Sequence, residues 1–167
     1  MKIIIHFNTD NIMRINIIPV QELADQHLRA EYLEIKFSAD YYRRSKRTKL
    51  GIDKSRISDK YILEKGHAYM WYDKFMYVTK RNDELCTEMR ARGYQVNYPI
   101  INTHQVDEEW NWGDFNPGLE EMKVNVARII QRIEMKILEQ KKERFYTLRG
   151  RVLELEDYVV PGFSFED

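Results

Sequence analysis

The chain has 167 residues, 43% of them hydrophobic and 32% charged, with a formal net charge of zero. A packed core and a soluble surface are both available, and no global charge pulls the chain toward nucleic acid. The single cysteine, Cys86, excludes an intramolecular disulfide and fits a reducing compartment. No apolar run approaches membrane-spanning length, and the opening MKIII is interrupted by His6 and Asn8 too soon for a signal peptide. A cytoplasmic protein is expected, in the host cell if the gene is viral.

In chain order, residues 2–6 and 15–20 are Ile-rich and predicted extended. Pro19 suits the first turn of a helix running from about Val20 to Arg44. On it, Leu23, His27, Ala30 and Glu34 recur at spacings of four, three and four, so they share one face. A basic loop with Gly51 follows, then a turn around Ser58 leading to Gly66. The second helix is predicted from His67 to Arg92, with Gly93 as its stop. Its line Tyr69, Tyr72, Met76, Lys80 mixes aromatic and basic character. Tyr98 to Gly118 is irregular and carries Trp110 and Trp112, for which loop exposure is expected. Asn116 and Pro117 supply a cap and a first-turn proline for a third helix over 117–144, with the apolar stripe Leu119, Met122, Val126, Ile129, Ile133, Ile137. No internal repeat or low-complexity segment is present. The expected organisation is one helical domain over 13–151, an N-terminal extension over 1–12 and an acidic tail over 152–167.

Charge is uneven along the chain. Seven basic residues lie between Arg43 and Arg56 against one acid, Asp53, whereas 152–167 holds five acids and no Lys or Arg. The basic stretch suits either a solvated loop or a phosphate-facing surface. Other signals are weaker. His27 and Glu31 stand i, i+4 but lack a third ligand, so a satisfied helix pair is favoured over a metal site. His67, after Gly66, reads as a capping or packing group. His6 and His104 have no evident partners. Trp71, Tyr72 and Cys86 read as core, and no phosphate-cradling loop is present.

Three strings carry a stronger signal. MRINIIPVQELADQHLRAEYLEI (13–35), ISDKYILEKGHAYMWYDKFMYVTKRNDELCTEMRARGYQV (57–96) and GDFNPGLEEMKVNVARIIQRI (113–133) follow one another in order. They resemble the phage pyrimidine-dimer DNA glycosylases, the endonuclease V-type UV repair enzymes. The resemblance implies an all-α, compact single domain of three long helices with an N-terminal segment threading between them. It also implies a DNA repair N-glycosylase with AP-lyase activity on duplex DNA bearing UV lesions, working as a monomer with no metal or organic cofactor. In that family the α-amino group of the chain attacks the sugar carbon bearing the damaged base, and β-elimination from the resulting imine cuts the strand. An α-amine suits this role, because its pKa near 7.7–8.0 leaves roughly a tenth of it neutral at pH 7, without the large shift a lysine needs.

Carried over position by position, the amine falls on Met13 and the carboxylate that stabilises the cationic sugar on Glu34. Arg14 becomes a phosphate or base-edge contact, Gln26 and His27 line the lesion pocket, and Arg128 and Arg132 share a helix face that can span neighbouring phosphates. Two cationic positions of the family pattern are Leu33 and Phe37 here, and the basic aromatic tail is only echoed by RFYTLRGR (144–151). The main departure lies upstream. Twelve residues, MKIIIHFNTDNI, precede Met13, and while they are attached its nitrogen is an amide. Three readings stand: translation begins at Met13, which is favoured; the extension is removed; or the chain is a catalytically silent homologue that binds damaged DNA.

Overall fold

A computed structural model describes residues 13–63, 66–104, 106–140 and 146–153. The expectations for the extended run 2–6, for His6 and for the tail beyond 153 lie outside the described residues, as does the side chain of Ile137. The described chain is mostly helical. Its α-helices are α1 (Asp25–Glu34), α2 (Ser38–Lys46), α3 (His67–Met70), α4 (Phe75–Ala91), α5 (Glu108–Asn111) and α6 (Leu119–Gln140). Single 3-10 turns occupy Val20–Glu22, Ile35–Phe37 and Lys54–Arg56.

The helix expected over Val20–Arg44 is divided. Pro19 does open a helical turn, but it is 3-10, and Leu23 and Ala24 return to extended backbone before α1 begins. A second 3-10 turn then separates α1 from α2. His27, Ala30 and Glu34 share one face of α1, as their spacing requires, and that face opens on a cavity. The core face is a different one, with Leu28, Tyr32 and Ile35 buried at spacings of four and three. Burying each such side chain contributes about 1.5–3 kcal/mol.

The second expected helix is also broken, between Met70 and Phe75. Lys74 has non-helical backbone angles (φ −126°, ψ 34°). Its buried ammonium donates to the carbonyls of Ser58 (2.9 Å) and Met70 (3.1 Å) and to the Asp73 carboxylate. The loop after α5 presses on this break. The Met76 amide donates to the Gly113 carbonyl, and a Cβ at Gly113 would stand 1.4 Å from the Asp73 carbonyl oxygen. The break is thus set by tertiary contact with a glycine about forty residues downstream. Gly93 ends α4 as predicted: at φ 81° it lets its own amide and that of Tyr94 turn back to the carbonyls of Arg90 and Met89.

α6 starts two residues later than predicted, with the Glu121 carboxylate accepting from the Gly118 amide. Val126, Ile129 and Ile133 are buried and Met122 partly so, but Leu119 is exposed. Trp71, Tyr72 and Cys86 lie in the core as expected. Trp110 corrects its reading: it sits in α5, buried edge-on against Tyr42 at 5.2 Å, whereas Trp112 is exposed.

The all-α expectation needs one amendment. Strands β1 (Tyr146–Leu148) and β2 (Arg151–Leu153) pair antiparallel, with Tyr146 opposite Leu153 and Leu148 opposite Arg151. Their two-residue turn, Arg149-Gly150, has positive φ at both positions (50° and 77°), the conformation that matches strand twist in a tight hairpin. The Asp25 carboxylate at the start of α1 clasps this turn, accepting from Thr147 Oγ1 (2.6 Å) and from the amides of Arg149 (3.2 Å) and Gly150 (3.1 Å).

Candidate active site

Residues 13–18 belong to no helix or strand, and among the described residues no strand pairs with them. Their side chains nonetheless alternate. Met13, Ile15 and Ile17 are buried in the core, whereas Arg14 and Asn16 line a cavity of about 400 Å³. Backbone amides buried without partners would be costly, and here helix-borne side chains supply the acceptors. Arg14 N donates to Glu34 Oε2 (3.1 Å), Ile15 N to His67 Nε2 (3.0 Å) and Asn16 N to Glu31 Oε1 (3.1 Å). Ile17 N and Ile18 N both donate to Asn125 Oδ1 (2.8 and 3.3 Å). Tyr61 donates its hydroxyl to the Ile15 carbonyl (3.1 Å), and burial holds that phenol firmly protonated.

The cavity is lined by residues far apart in sequence: Arg14 from the segment, His27 and Glu34 from α1, and Arg128 and Arg132 from α6. Two carboxylates face it, with different surroundings. Glu31 is buried and saturated. It accepts from Asn16 N and Nδ2 and from Arg81 Nε (2.9 Å) and Nη2 (3.3 Å), while Arg81 Nη1 donates to the Ile18 carbonyl. Glu34 is only partly buried and stands among Arg14 and Arg128. Burial lowers the pKa of the Arg14 guanidinium, Glu34 counters that, and Arg128 adds to it. The Nε of Arg132 is buried and meets no acceptor among the described residues. A buried donor without an acceptor favours an incoming anion.

His67 is the least expected member of the site. Its Nδ1 lies 2.6 Å from the Ile62 carbonyl, which can only accept, so Nδ1 carries the proton and Nε2 is the acceptor for Ile15 N. Burial pushes its pKa down to about 4, outweighing the opposing bond to Ile62, and Arg14 lowers it further. The ring is therefore neutral near pH 7, the state this acceptor role needs.

Of the residues singled out in the sequence, Arg14, His27, Glu34, Arg128 and Arg132 converge on the one cavity. Met13 is not among the residues that line it: it precedes Arg14 in the chain and is buried in the core. Gln26 stands apart: its side-chain amide bonds Thr147 of β1 rather than lining the cavity. The His27 ring packs 5.2 Å from Tyr146 of the same strand. No group of three His, Cys, Asp or Glu side chains suited to a metal ion occurs among the described residues.

The basic stretch Arg43–Arg56 is partly neutralised. Arg43 pairs with Asp40, Lys46 with Asp107 and Lys54 with Glu109, while Arg56 lies over the Tyr69 ring. Sequence reasoning passed over His67, Glu31, Arg81 and Asn125 as site-forming residues. Asn125 did carry a signal, because it is a polar residue on the apolar face of α6, three positions after Met122 and four before Ile129.

Residues 12–102 match the family model described as Pyrimidine dimer DNA glycosylase, which is more than half of the chain. The chain belongs to the pyrimidine dimer DNA glycosylase family. Membership makes UV-damaged DNA the implied substrate class. The matched span of this DNA glycosylase includes the segment 13–18, α1 and α4 but stops short of α6. Asn125 enters the site through geometry alone, and the geometry adds to the resemblance for Arg128 and Arg132. No helix among the described residues is long and apolar enough to cross a membrane.

Proposed function

We propose that the cavity excises the damaged base at UV-induced pyrimidine dimers in duplex DNA and then cuts the abasic strand as an AP lyase. Glu34 serves as the carboxylate of the reaction, and Met13 supplies the nucleophile in a form of the protein that begins at that residue. One observation carries the reading. Arg14 N is 3.1 Å from Glu34 Oε2, so the nitrogen of the preceding residue lies within about one residue step, ~3.8 Å, of a peptide already on that acid.

With Met13 terminal, its amine lone pair attacks C1′ of the deoxyribose. The bond from C1′ to the base breaks, and its electron pair leaves with the base, which takes up a proton. The C1′–O4′ bond then breaks as C1′ and the nitrogen form the imine, and of the two protons the nitrogen gives up, one balances the base and the other goes to O4′. Removal of a C2′ proton then expels the 3′ phosphate by β-elimination. Glu34 stabilises the cationic sugar and can carry the C2′ proton. Arg14, Arg128 and Arg132 suit the flanking phosphates, and expelling a nucleotide from the stack brings the reacting carbon within reach. His27 contributes to the wall of the lesion pocket.

A second reading follows from the sequence itself. With residues 1–12 attached, the nitrogen of Met13 is an amide, and the protein binds lesions without cutting. Borohydride trapping on UV-irradiated duplex, with proteins beginning at Met1 and at Met13, separates the two. The first reading expects a covalent adduct from the Met13 form only, lost in Glu34→Gln while duplex binding persists. No adduct from either form would leave the binding-only reading.

A further inference from the structure

We infer that His67 and Asn125 are positioning residues that hold the segment 13–18 in register against Glu34, so that the backbone at Met13 and Arg14 stays on the reacting side of the cavity. The functional part of this inference rests on the glycosylase reading; the structural part does not.

A β-strand keeps its register through a partner strand, whose ladder is laid down by backbone alone. The segment 13–18 has no such partner, yet its side chains alternate between core and cavity. A slip of one residue would turn Arg14 and Asn16 into the core and Ile15 into the cavity. The register therefore depends on the acceptors that meet its amides. Glu31 and Glu34 come from one helix, three residues apart, and fix the amides of Asn16 and Arg14. Between them, the Ile15 amide faces the other way and is met by His67 from α3. Asn125 from α6 closes the series with a single oxygen that accepts from both Ile17 and Ile18, while its Nδ2 donates to Asn16 Oδ1 (2.8 Å). Clamped from three helices, the segment cannot shift along its axis without losing several bonds together.

The two ring nitrogens of His67 allow a clean separation of roles. Nδ1 donates to the Ile62 carbonyl and supports the local loop, and Nε2 accepts from Ile15 and from Trp71 Nε1 (3.3 Å). Asparagine reproduces the position of Nδ1 and removes the distant acceptor. Glutamine reproduces the distant acceptor and removes the near donor. A purely structural histidine would tolerate the two replacements according to stability alone. A positioning histidine makes His67→Gln the functional substitute and His67→Asn the defective one.

The test uses the full chain for amide exchange and the form beginning at Met13 for base release. By amide exchange in NMR, His67→Asn is expected to speed exchange at Ile15 about 5- to 10-fold, the loss of one ordinary hydrogen bond, with His67→Gln close to wild type. The Arg14 amide resonance, which reports the ionisation of Glu34 through their bond, should lose that response in His67→Asn and keep it in His67→Gln. In single-turnover base release from UV-irradiated duplex, His67→Asn should be slower by about tenfold or more, with duplex affinity within about threefold, as a misplaced reacting group costs rate rather than binding.

Should His67→Asn fail to fold, Asn125→Ala against Asn125→Asp repeats the comparison at the Ile17 and Ile18 amides, because only the aspartate keeps the acceptor. Unchanged exchange at the paired amide, or equal behaviour of the two variants of a pair, overturns the inference. Absence of base release by the wild-type chain counts against catalysis by that form of the protein, and the exchange and Arg14 readouts still decide the positioning role.

Discussion

Glu31→Gln is the most informative single change to the scaffold of the site. The two side chains of the Glu31–Arg81 pair are 1% and 3% exposed, which places the pair among buried ones, where removing one partner is far more damaging than breaking a surface bridge. Glu31 presents only acceptor oxygens, and all four of its bonds come from donors: two from Asn16 and two from Arg81. A glutamine places an NH2 group against one of those donors and leaves the guanidinium without its counter-charge. Glu84 is too far and too exposed to replace it, at 3.8 Å with 57% of its side chain accessible. The expected loss is about 3–5 kcal/mol. For a chain of this size that lowers the melting temperature by about 6–20 °C. Urea unfolding of wild type and variant measures it, with the m-value unchanged if only stability has moved. Replacing both partners with apolar residues, Glu31→Leu with Arg81→Met, should recover the part due to the stranded charge and not the part due to Asn16 and the Ile18 carbonyl, which still lack their partners. A Glu31→Gln variant within about 1 kcal/mol of wild type would refute this account of the pair.

Three further outcomes are expected. Because burial lowers the folded-state pKa of His67 to about 4 against an ordinary 6.5, the unfolded chain takes up a proton below pH 6.5 that the folded chain refuses. Stability is therefore full above about pH 6.5 and falls by about 3 kcal/mol as pH drops to 4; unfolding midpoints across that range should show the slope, and His67→Gln should flatten it. Gly113→Ala forces a methyl into the Asp73 carbonyl and should cost about 3 kcal/mol by thermal or urea unfolding. Asp25→Ala removes the acceptor for the hairpin turn and for Arg92, so amide exchange at Arg149 and Gly150 should rise sharply. Burial pushes the Asp25 pKa up, but bonds from Thr147, Gly150, Arg92 and Arg149 outweigh it and hold it low; the hairpin should accordingly loosen only as pH falls through that lowered value.

Where local chemistry decides an element, the sequence was readable. Gly93 ends α4 because a left-handed residue is needed there, and Val126, Ile129 and Ile133 bury α6 through their spacing. The face shared by His27, Ala30 and Glu34 was also legible, though periodicity alone reads such a face as core and it opens on the cavity instead. Long-range contacts were not legible. The break before α4 depends on Gly113 approaching Asp73, and the hairpin depends on Asp25, more than a hundred residues upstream of its turn. Similarly, nothing in the string GH reveals that His67 accepts from Ile15. That pairing exists only once α3 lies beside the N-terminal segment. The resemblance brought five of its proposed site residues to one cavity, while Gln26 went to β1 because Thr147 offers both a donor and an acceptor there.

The dependence of Ile17 and Ile18 on Asn125, a sequence separation of 108 and 107, sets how late in its own synthesis the protein can complete the bonds on residues 13–18. At about 5–20 residues per second, a ribosome that has finished Ile18 needs roughly 5–20 s more to deliver Asn125. Until then the amides of Ile17 and Ile18 lack the acceptor that the finished chain gives them. A polypeptide terminated early, even one containing all of α1 and α4, would lack the acceptor that meets the amides of Ile17 and Ile18.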